Sequence, residues 1–161
     1  MPPDIFIFMG FIASGKSTLA RAFSEKRGLP YYNSDVVRKK IAGLQAESRA
    51  GDEFGKGIYS QEYTRKTYDG LLDYAAAELQ AGSSVVLDAS YSRRRERKYA
   101  VDLAARFGAG CCFIFCQCSE ETTQKGWLPG QGTGRRYRMP TTGFIRNRKS
   151  LLNILISLKK N

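Results

Sequence analysis

Eight consecutive residues near the start of the chain have the types and spacing that bind phosphate. They read GFIASGKS from Gly10 to Ser17 and fit the pattern GxxxxGK[ST]. In this pattern glycine lets backbone N–H groups approach the phosphate, lysine reaches the β and γ phosphates, and the last hydroxyl is a ligand of Mg²⁺. A helix that begins at the lysine turns the positive end of its dipole toward the same anion. We therefore predict that a nucleotide is bound by Gly10, Ala13, Ser14, Gly15, Lys16, Ser17 and Thr18.

Two acidic residues follow other strand-like segments and suit the remaining parts of phosphoryl transfer. Asp88 ends the apolar run SVVLD, where it is placed to hold Mg²⁺ together with Ser17. Asp35 follows the segment PYYNS and is a candidate to accept the proton of an acceptor hydroxyl. Arg38 lies one helical turn later and suits an anionic part of that acceptor. We predict Lys16, Asp35 and Arg38 as catalytic residues, and Ser17 and Asp88 as metal ligands.

Three of these residues, Asp35, Arg38 and Asp88, also have a purely structural interpretation. Asp88 would be an N-cap of the helix predicted to start near Ser92. Asp35 would likewise cap its own helix, in a capping pair with Ser34, and Arg38 would then be a surface arginine. The sequence alone leaves both interpretations open.

Strand and helix signals alternate around the candidate residues. Strands are predicted over residues 4–9, 30–34, 84–88 and 111–118, and helices over residues 16–27, 35–44, 60–81 and 92–107, with a loop over residues 46–59. This alternation predicts an α/β fold with a parallel sheet in three layers, as in P-loop NTPases. The carboxyl ends of such strands share one edge, which is where ligands bind.

Composition limits the class of protein. A length of 161 residues with 42% hydrophobic residues suits one domain with a core. No apolar stretch reaches membrane-spanning length and no signal-peptide pattern starts the chain, so we expect a cytoplasmic protein with no membrane partner. Zinc would have to be bound by cysteine alone because the chain has no histidine. We interpret Cys111, Cys112, Cys116 and Cys118 as small buried hydrophobic residues in a reducing compartment.

The net charge of +11 is concentrated near the C-terminus. Residues 1–121 contain 17 basic and 15 acidic residues, whereas residues 122–161 contain 9 basic residues and no acidic one. The basic run over residues 93–98 is interrupted by Glu96 and favours a solvated helix face, from which Arg93 or Arg94 would reach the cleft. A nucleic-acid-binding basic protein is therefore an alternative that the charge distribution does not favour.

Several segments together resemble one family. The chain resembles the P-loop kinases of the AAA-domain (AAA_33-like) group over about residues 5–125. The resemblance lies in the segments MGFIASGKSTLARAF, NSDVVRKKIAGL, TYDGLLDYAAAELQAG and SVVLDASYSRRRER. That group is similar to zeta toxins, polynucleotide 5′-hydroxyl kinases, gluconate kinase and chloramphenicol phosphotransferase. The resemblance implies an adenylate-kinase-like sheet, ATP and Mg²⁺ as cofactors, and transfer of the γ-phosphate to a hydroxyl of a small molecule or nucleotide. It also implies that Asp35 is the acceptor-site acid and Arg38 the nearby substrate arginine. In some members of the group such a domain is fused to or associated with a phosphotransferase-like domain.

The chain departs from that group after the fourth strand. Members have a lid helix with arginines there, whereas this chain reads GWLPGQGTGRRYRMPTTGFIRNRKS, whose glycines and proline disfavour a helix. Restoring one base after the codon for Lys125 would permit the family-like segment SDADW. We therefore predict a kinase-like domain over residues 1–125 and an out-of-frame basic tail over residues 126–161, against the alternative of a divergent basic terminus.

This departure bears on activity. Arg135, Arg136 and Arg138 do not match the lid positions, and a lid arginine stabilises charge on the transferred phosphoryl group. We expect an ATP-dependent kinase whose transfer is impaired by loss of the lid, with a nucleotide-binding pseudoenzyme as the alternative.

Overall fold

The computed structural model describes residues 2–12, 14–43 and 60–116. Four of the sequence predictions fall outside these residues. They concern Ala13, the loop over residues 46–59, Cys118 and the tail over residues 126–161.

Strands and helices alternate along the described residues. In chain order they are β1 (Asp4–Gly10), α1 (Lys16–Arg27), β2 (Tyr31–Asn33), α2 (Ser34–Ile41), α3 (Gln61–Gln80), β3 (Val85–Asp88), α4 (Arg94–Arg106) and β4 (Gly110–Cys116). The four strands form one parallel sheet in the order β2-β3-β1-β4. The predicted α/β fold with a parallel sheet is confirmed.

The two faces of the sheet carry separate apolar clusters because successive strand residues point to opposite sides. On one face Ile7 and Leu87 pack with α3 and α4, whose Leu71 and Ala100 are fully buried. On the other face Phe8 and its neighbours pack against α1 through Ala20 and Phe23. Helices therefore cover both faces, which makes the three layers and leaves the strand ends as the edge available for a site.

The three cysteines among the described residues lie in β4 and are not joined in disulfide bonds there. Cys112 and Cys116 are buried in the cluster beneath α1. Burial raises the pKa of the Cys111 thiol to about 12, so this side chain stays protonated at neutral pH. Within the described ranges, no helix combines the length and apolar character needed to cross a bilayer.

Candidate functional site

The phosphate loop runs from the end of β1 to the start of α1. Gly10 has φ 153°, and a Cβ placed there would lie 2.4 Å from the carbonyl oxygen of Cys116 and 3.0 Å from Ser14 Oγ. Only glycine fits this close approach between the loop and β4. Gly15 has φ 77° and is the N-cap residue of α1, in open space. The two glycines of the motif thus serve different purposes, one steric and one conformational.

The start of α1 is open to an anion. A concavity of about 210 Å³ is lined by Gly15, Lys16, Ser17 and Thr18. Because the N-cap is glycine, it supplies no side chain to accept hydrogen bonds from the first-turn N–H groups, and that turn contains no acidic residue. These N–H groups carry the positive end of the helix dipole. Among the predicted nucleotide-binding residues, the structure therefore brings these four together around one cavity suited to phosphate.

Asp88 lies at the end of β3, beside the strand that leads into the loop. Its Cα pairs in register with Phe8 of β1 and with Asn33 of β2. The side chain is fully buried, and its Oδ2 accepts hydrogen bonds from Tyr31 Oη and Asn33 Nδ2, each at 2.7 Å. Its Oδ1 is also buried, and no donor for it occurs among the described residues. The alternative of Asp88 as an N-cap is wrong, because α4 has Arg93 in that position.

These properties fit a divalent cation. A buried carboxylate oxygen with no protein donor is an acceptor that a cation would satisfy. The described residues contain no group of three or more Cys, Asp or Glu side chains able to hold a metal. Mg²⁺ does not require one, since it is commonly bound by one or two protein oxygens together with phosphate oxygens and water. Ser17, which lines the loop cavity, and Asp88 would be those protein ligands.

The acceptor-side residues lie on α2. The N-cap of this helix is Asn33, whose Oδ1 accepts hydrogen bonds from the backbone N–H of Asp35 at 2.9 Å and of Val36 at 3.3 Å. The interpretation of Ser34 and Asp35 as the capping pair is therefore wrong, because β2 ends one residue earlier than expected. The Asp35 side chain is exposed in the first helical turn. Its role as acceptor-site acid stays a prediction.

Arg38 is not a surface residue. Only 9% of it is exposed, and its guanidinium donates to Thr64 Oγ1 of α3 at 3.3 Å. The long apolar stem of arginine allows such burial when the charged head finds a hydrogen-bond acceptor. The surface interpretation is wrong, whereas the proposed contact of Arg38 with a substrate stays a prediction.

The segment between β3 and α4 is held by residues that the sequence analysis did not select. Tyr91 has φ 44° and is 1% exposed, and its backbone N–H donates to Tyr68 Oη at 3.0 Å. One guanidinium nitrogen of Arg97 donates to the carbonyl oxygens of Tyr91 at 2.6 Å and Ser92 at 2.9 Å. The solvated-face interpretation is thus wrong for Arg97. The same interpretation agrees with the exposure of the other basic residues of the run over residues 93–98, namely Arg93, Arg94, Arg95 and Lys98.

Two tyrosine hydroxyls of this region keep their protons at neutral pH. The pKa of Tyr31 is raised, first by burial and next by its hydrogen bond to Asp88. Burial raises the pKa of Tyr68 to about 12. Tyr31 therefore remains a hydrogen-bond donor to the Asp88 carboxylate across the physiological pH range.

Comparison with known proteins identifies the family. The sequence model of AAA_33, described as an AAA domain, matches residues 5–128. An uncharacterized protein of Mycobacterium tuberculosis (strain ATCC 25618 / H37Rv) is 32% identical over 92 residues, which are 57% of this chain and 18% of that protein. A Mycobacterium bovis protein matches over the same shares. The chain thus spans less than a fifth of the length of these curated relatives.

Solved structures share the fold at low sequence identity. An APS kinase from Mycobacterium tuberculosis, in complex with AMPPNP and APS, has a TM-score of 0.63 and 16% identity, with 99% of each chain covered. A sugar kinase from Janibacter sp. HTCC2649 has a TM-score of 0.55 and 20% identity, with 97% of this chain and 77% of that chain covered. A gluconokinase from Sinorhizobium meliloti has a TM-score of 0.53 and 22% identity, with 77% of this chain and 62% of that chain covered. The chain therefore belongs to the AAA_33 family of AAA domains and has a P-loop kinase-like fold.

Proposed function

We propose that this chain binds ATP with Mg²⁺ and transfers the γ-phosphate to a hydroxyl of a small molecule or nucleotide. One juxtaposition carries the proposal. Asp88 ends β3, the strand beside β1, and β1 leads into the phosphate loop. The Oδ1 of Asp88 is buried, and the described residues supply no donor for it. A phosphate cradle and a metal-binding acid on one sheet edge are the two parts that phosphoryl transfer requires of a protein before an acceptor arrives.

The chain's own residues would divide the work between binding and proton transfer. Lys16 and the first-turn N–H groups of α1 would bind the β and γ phosphates, and Ser17 and Asp88 would hold the cation. Bound Mg²⁺ would neutralise charge that develops on the transferred group. The exposed carboxylate of Asp35 would orient the acceptor hydroxyl and take its proton.

The acceptor side of the proposal rests on α2 and on the relatives. Arg38 would bind an anionic part of the acceptor after a movement of its guanidinium away from Thr64. The solved structures of similar fold include kinases named for APS, for a sugar and for gluconate. They support a small hydroxyl-bearing acceptor with an anionic group or a sugar ring. Cysteine thiols that form no disulfide bond among the described residues support a cytoplasmic location.

Binding is tested by calorimetric titration of ATP into the full chain. We expect Lys16→Ala to lose measurable affinity because the loop then lacks the charged side chain that we propose binds the phosphates. Lys26→Ala is the matched control, since Lys26 is an exposed lysine at the other end of the same helix. Equal ATP affinity in the two variants would contradict the proposed site.

Transfer is tested separately with γ-labelled ATP and a panel of hydroxyl acceptors. We expect Asp35→Asn to abolish labelling of the acceptor while ATP affinity stays unchanged. ATP binding without transfer to any acceptor, in both this chain and a version with the restored reading frame, would identify a nucleotide-binding pseudoenzyme. Nucleic-acid affinity that disappears when residues 122–161 are removed would instead favour a basic nucleic-acid-binding protein.

A further inference from the structure

The carboxylate of Asp88 is oriented by two side chains from the neighbouring strand β2. Tyr31 and Asn33 both donate to its Oδ2 at 2.7 Å. Tyr31, Asn33 and Asp88 share one face of the sheet, because Tyr31 pairs with Val86, Asn33 pairs with Asp88, and alternate strand residues point the same way. This is the face that α1 covers. The β2 residues thus reach Asp88 from the side of the sheet on which the phosphate-loop helix lies.

The hydrogen bonds leave the two oxygens of Asp88 in different states. Oδ2 receives two donors, whereas Oδ1 is buried and has no donor among the described residues. A carboxylate held at one oxygen by two charge-assisted hydrogen bonds cannot rotate without breaking them. The arrangement therefore selects Oδ1 as the oxygen available to a cation.

Asn33 also connects this carboxylate to the acceptor-side helix. Its Oδ1 accepts from the backbone N–H groups at the start of α2, while its Nδ2 donates to Asp88. The orientation of the amide is unambiguous, because backbone N–H groups require an oxygen acceptor and a carboxylate requires a donor. One side chain is therefore fixed at both ends, between the acid proposed for the metal and the helix that carries Asp35.

Tyr31 is itself supported from α1. The guanidinium of Arg21 lies over the Tyr31 ring, 5.7 Å from its centroid. The hydroxyl is held at Asp88 by the hydrogen bond described above. The donor is thus present and oriented before any ligand binds.

We propose that Tyr31 and Asn33 are positioning residues that orient Asp88 Oδ1 toward the cation of a bound metal–nucleotide complex. The inference rests on the proposed function, because it assigns these residues to the metal site of that function. Outer hydrogen-bond partners of metal ligands typically contribute about 10- to 100-fold in metal affinity. Their removal should therefore weaken the metal-dependent part of nucleotide binding and spare the part that the phosphate loop supplies.

The test compares ATP affinity with Mg²⁺ and with a chelator present, measured by calorimetry on the full chain. Tyr31→Phe removes one donor and keeps the ring over which Arg21 lies. Asn33→Ser removes the other donor and keeps an N-cap side chain for α2. We expect each variant to reduce the Mg²⁺-dependent gain in affinity by about tenfold, with metal-free ATP affinity unchanged.

Two controls separate positioning from general stability. Tyr32→Phe removes the neighbouring hydroxyl, which donates to the Glu78 carboxylate at the same distance of 2.7 Å. The Tyr32 side chain packs on the opposite face of the sheet. Ser60→Ala removes the N-cap side chain of α3, which accepts from the backbone N–H of Tyr63. We expect both controls to lower the melting temperature and to leave the Mg²⁺ dependence as in the wild type. Circular dichroism checks that every variant is folded.

The outcomes distinguish this inference from the proposed function. The inference alone would be overturned if Asp88→Asn removed the Mg²⁺-dependent part of ATP binding while Tyr31→Phe and Asn33→Ser left it intact. A wild-type chain that binds no ATP would refute the proposed function and, with it, the inference. An equal loss of Mg²⁺ dependence in Tyr32→Phe would also overturn it, because the effect would then not be specific to contact with Asp88.

Discussion

Gly10→Ala should damage the phosphate loop by steric conflict rather than by loss of a contact. The new Cβ would lie 2.4 Å from the Cys116 carbonyl oxygen, a backbone atom that cannot rotate away, and 3.0 Å from Ser14 Oγ. The φ of 153° adds conformational strain for any residue with a Cβ. The loop and the end of β4 would have to separate, and this would displace the site itself.

The magnitude follows from these two contributions. A strained backbone conformation costs about 1 to 3 kcal/mol, and overpacking in a well-packed region costs about 1 to 3 kcal/mol. Together they predict a loss of ~4 kcal/mol in the free energy of unfolding. For a chain of this size each kcal/mol lowers the melting temperature by roughly 2 to 4 °C, so the expected decrease is about 8 to 16 °C.

Gly82→Ala is the matched control. Gly82 has φ 76°, and a Cβ added there would have no other atom within 4 Å, so alanine at this position meets strain without a clash. It should cost about 1 to 2 kcal/mol. Thermal and urea unfolding of both variants, followed by ATP titration, measures the difference. Equal losses of stability in the two variants would refute the steric account of Gly10.

Two further predictions concern the segment after β3 and the helix that follows it. Arg97→Gln should lower the free energy of unfolding by about 1 to 3 kcal/mol and speed hydrogen exchange over residues 89–93, because the carbonyl oxygens of Tyr91 and Ser92 lose the Arg97 donor. Arg95→Gln changes an exposed neighbour and should have neither effect. Burial raises the pKa of Glu96 in the folded chain. The neutral carboxyl therefore makes its full contribution to the free energy of unfolding below the unfolded pKa of about 4.3. This contribution is lost as pH rises through the folded-state pKa. Glu96→Gln should therefore melt higher than the wild type at pH 7, with a difference that shrinks toward pH 4, and a difference that grows on acidification would contradict this account.

Local pattern was sufficient for most of the architecture. The predicted helix over residues 16–27 has the bounds of α1, and the four strands lie within or overlap the segments in which strands were predicted. Helix and strand periodicity are properties of neighbouring residues, so a single sequence contains them. The same holds for the phosphate loop, whose glycines, lysine and serine all lie within eight consecutive residues.

Contacts between separate strands and helices could not be predicted in this way. The buried Arg38 of α2, for example, donates to Thr64 of α3, 26 positions away in the chain. The alternation of Tyr31 and Asn33 with Tyr32 would have placed the first two on one face, but nothing local indicated that this face meets Asp88. That contact exists because β2 pairs with β3 in a particular register.

The sequence by itself therefore predicted the phosphate-loop motif, the alternation of strands and helices, and the sheet edge on which the candidate site lies. Only the tertiary structure decided which oxygen of Asp88 is left without a donor among the described residues, and which residues hold the other one. The physical reason is distance along the chain. Periodicity and loop chemistry act over a few residues, whereas the hydrogen bonds to Asp88 join residues more than fifty positions apart, and strand order alone brings these residues together.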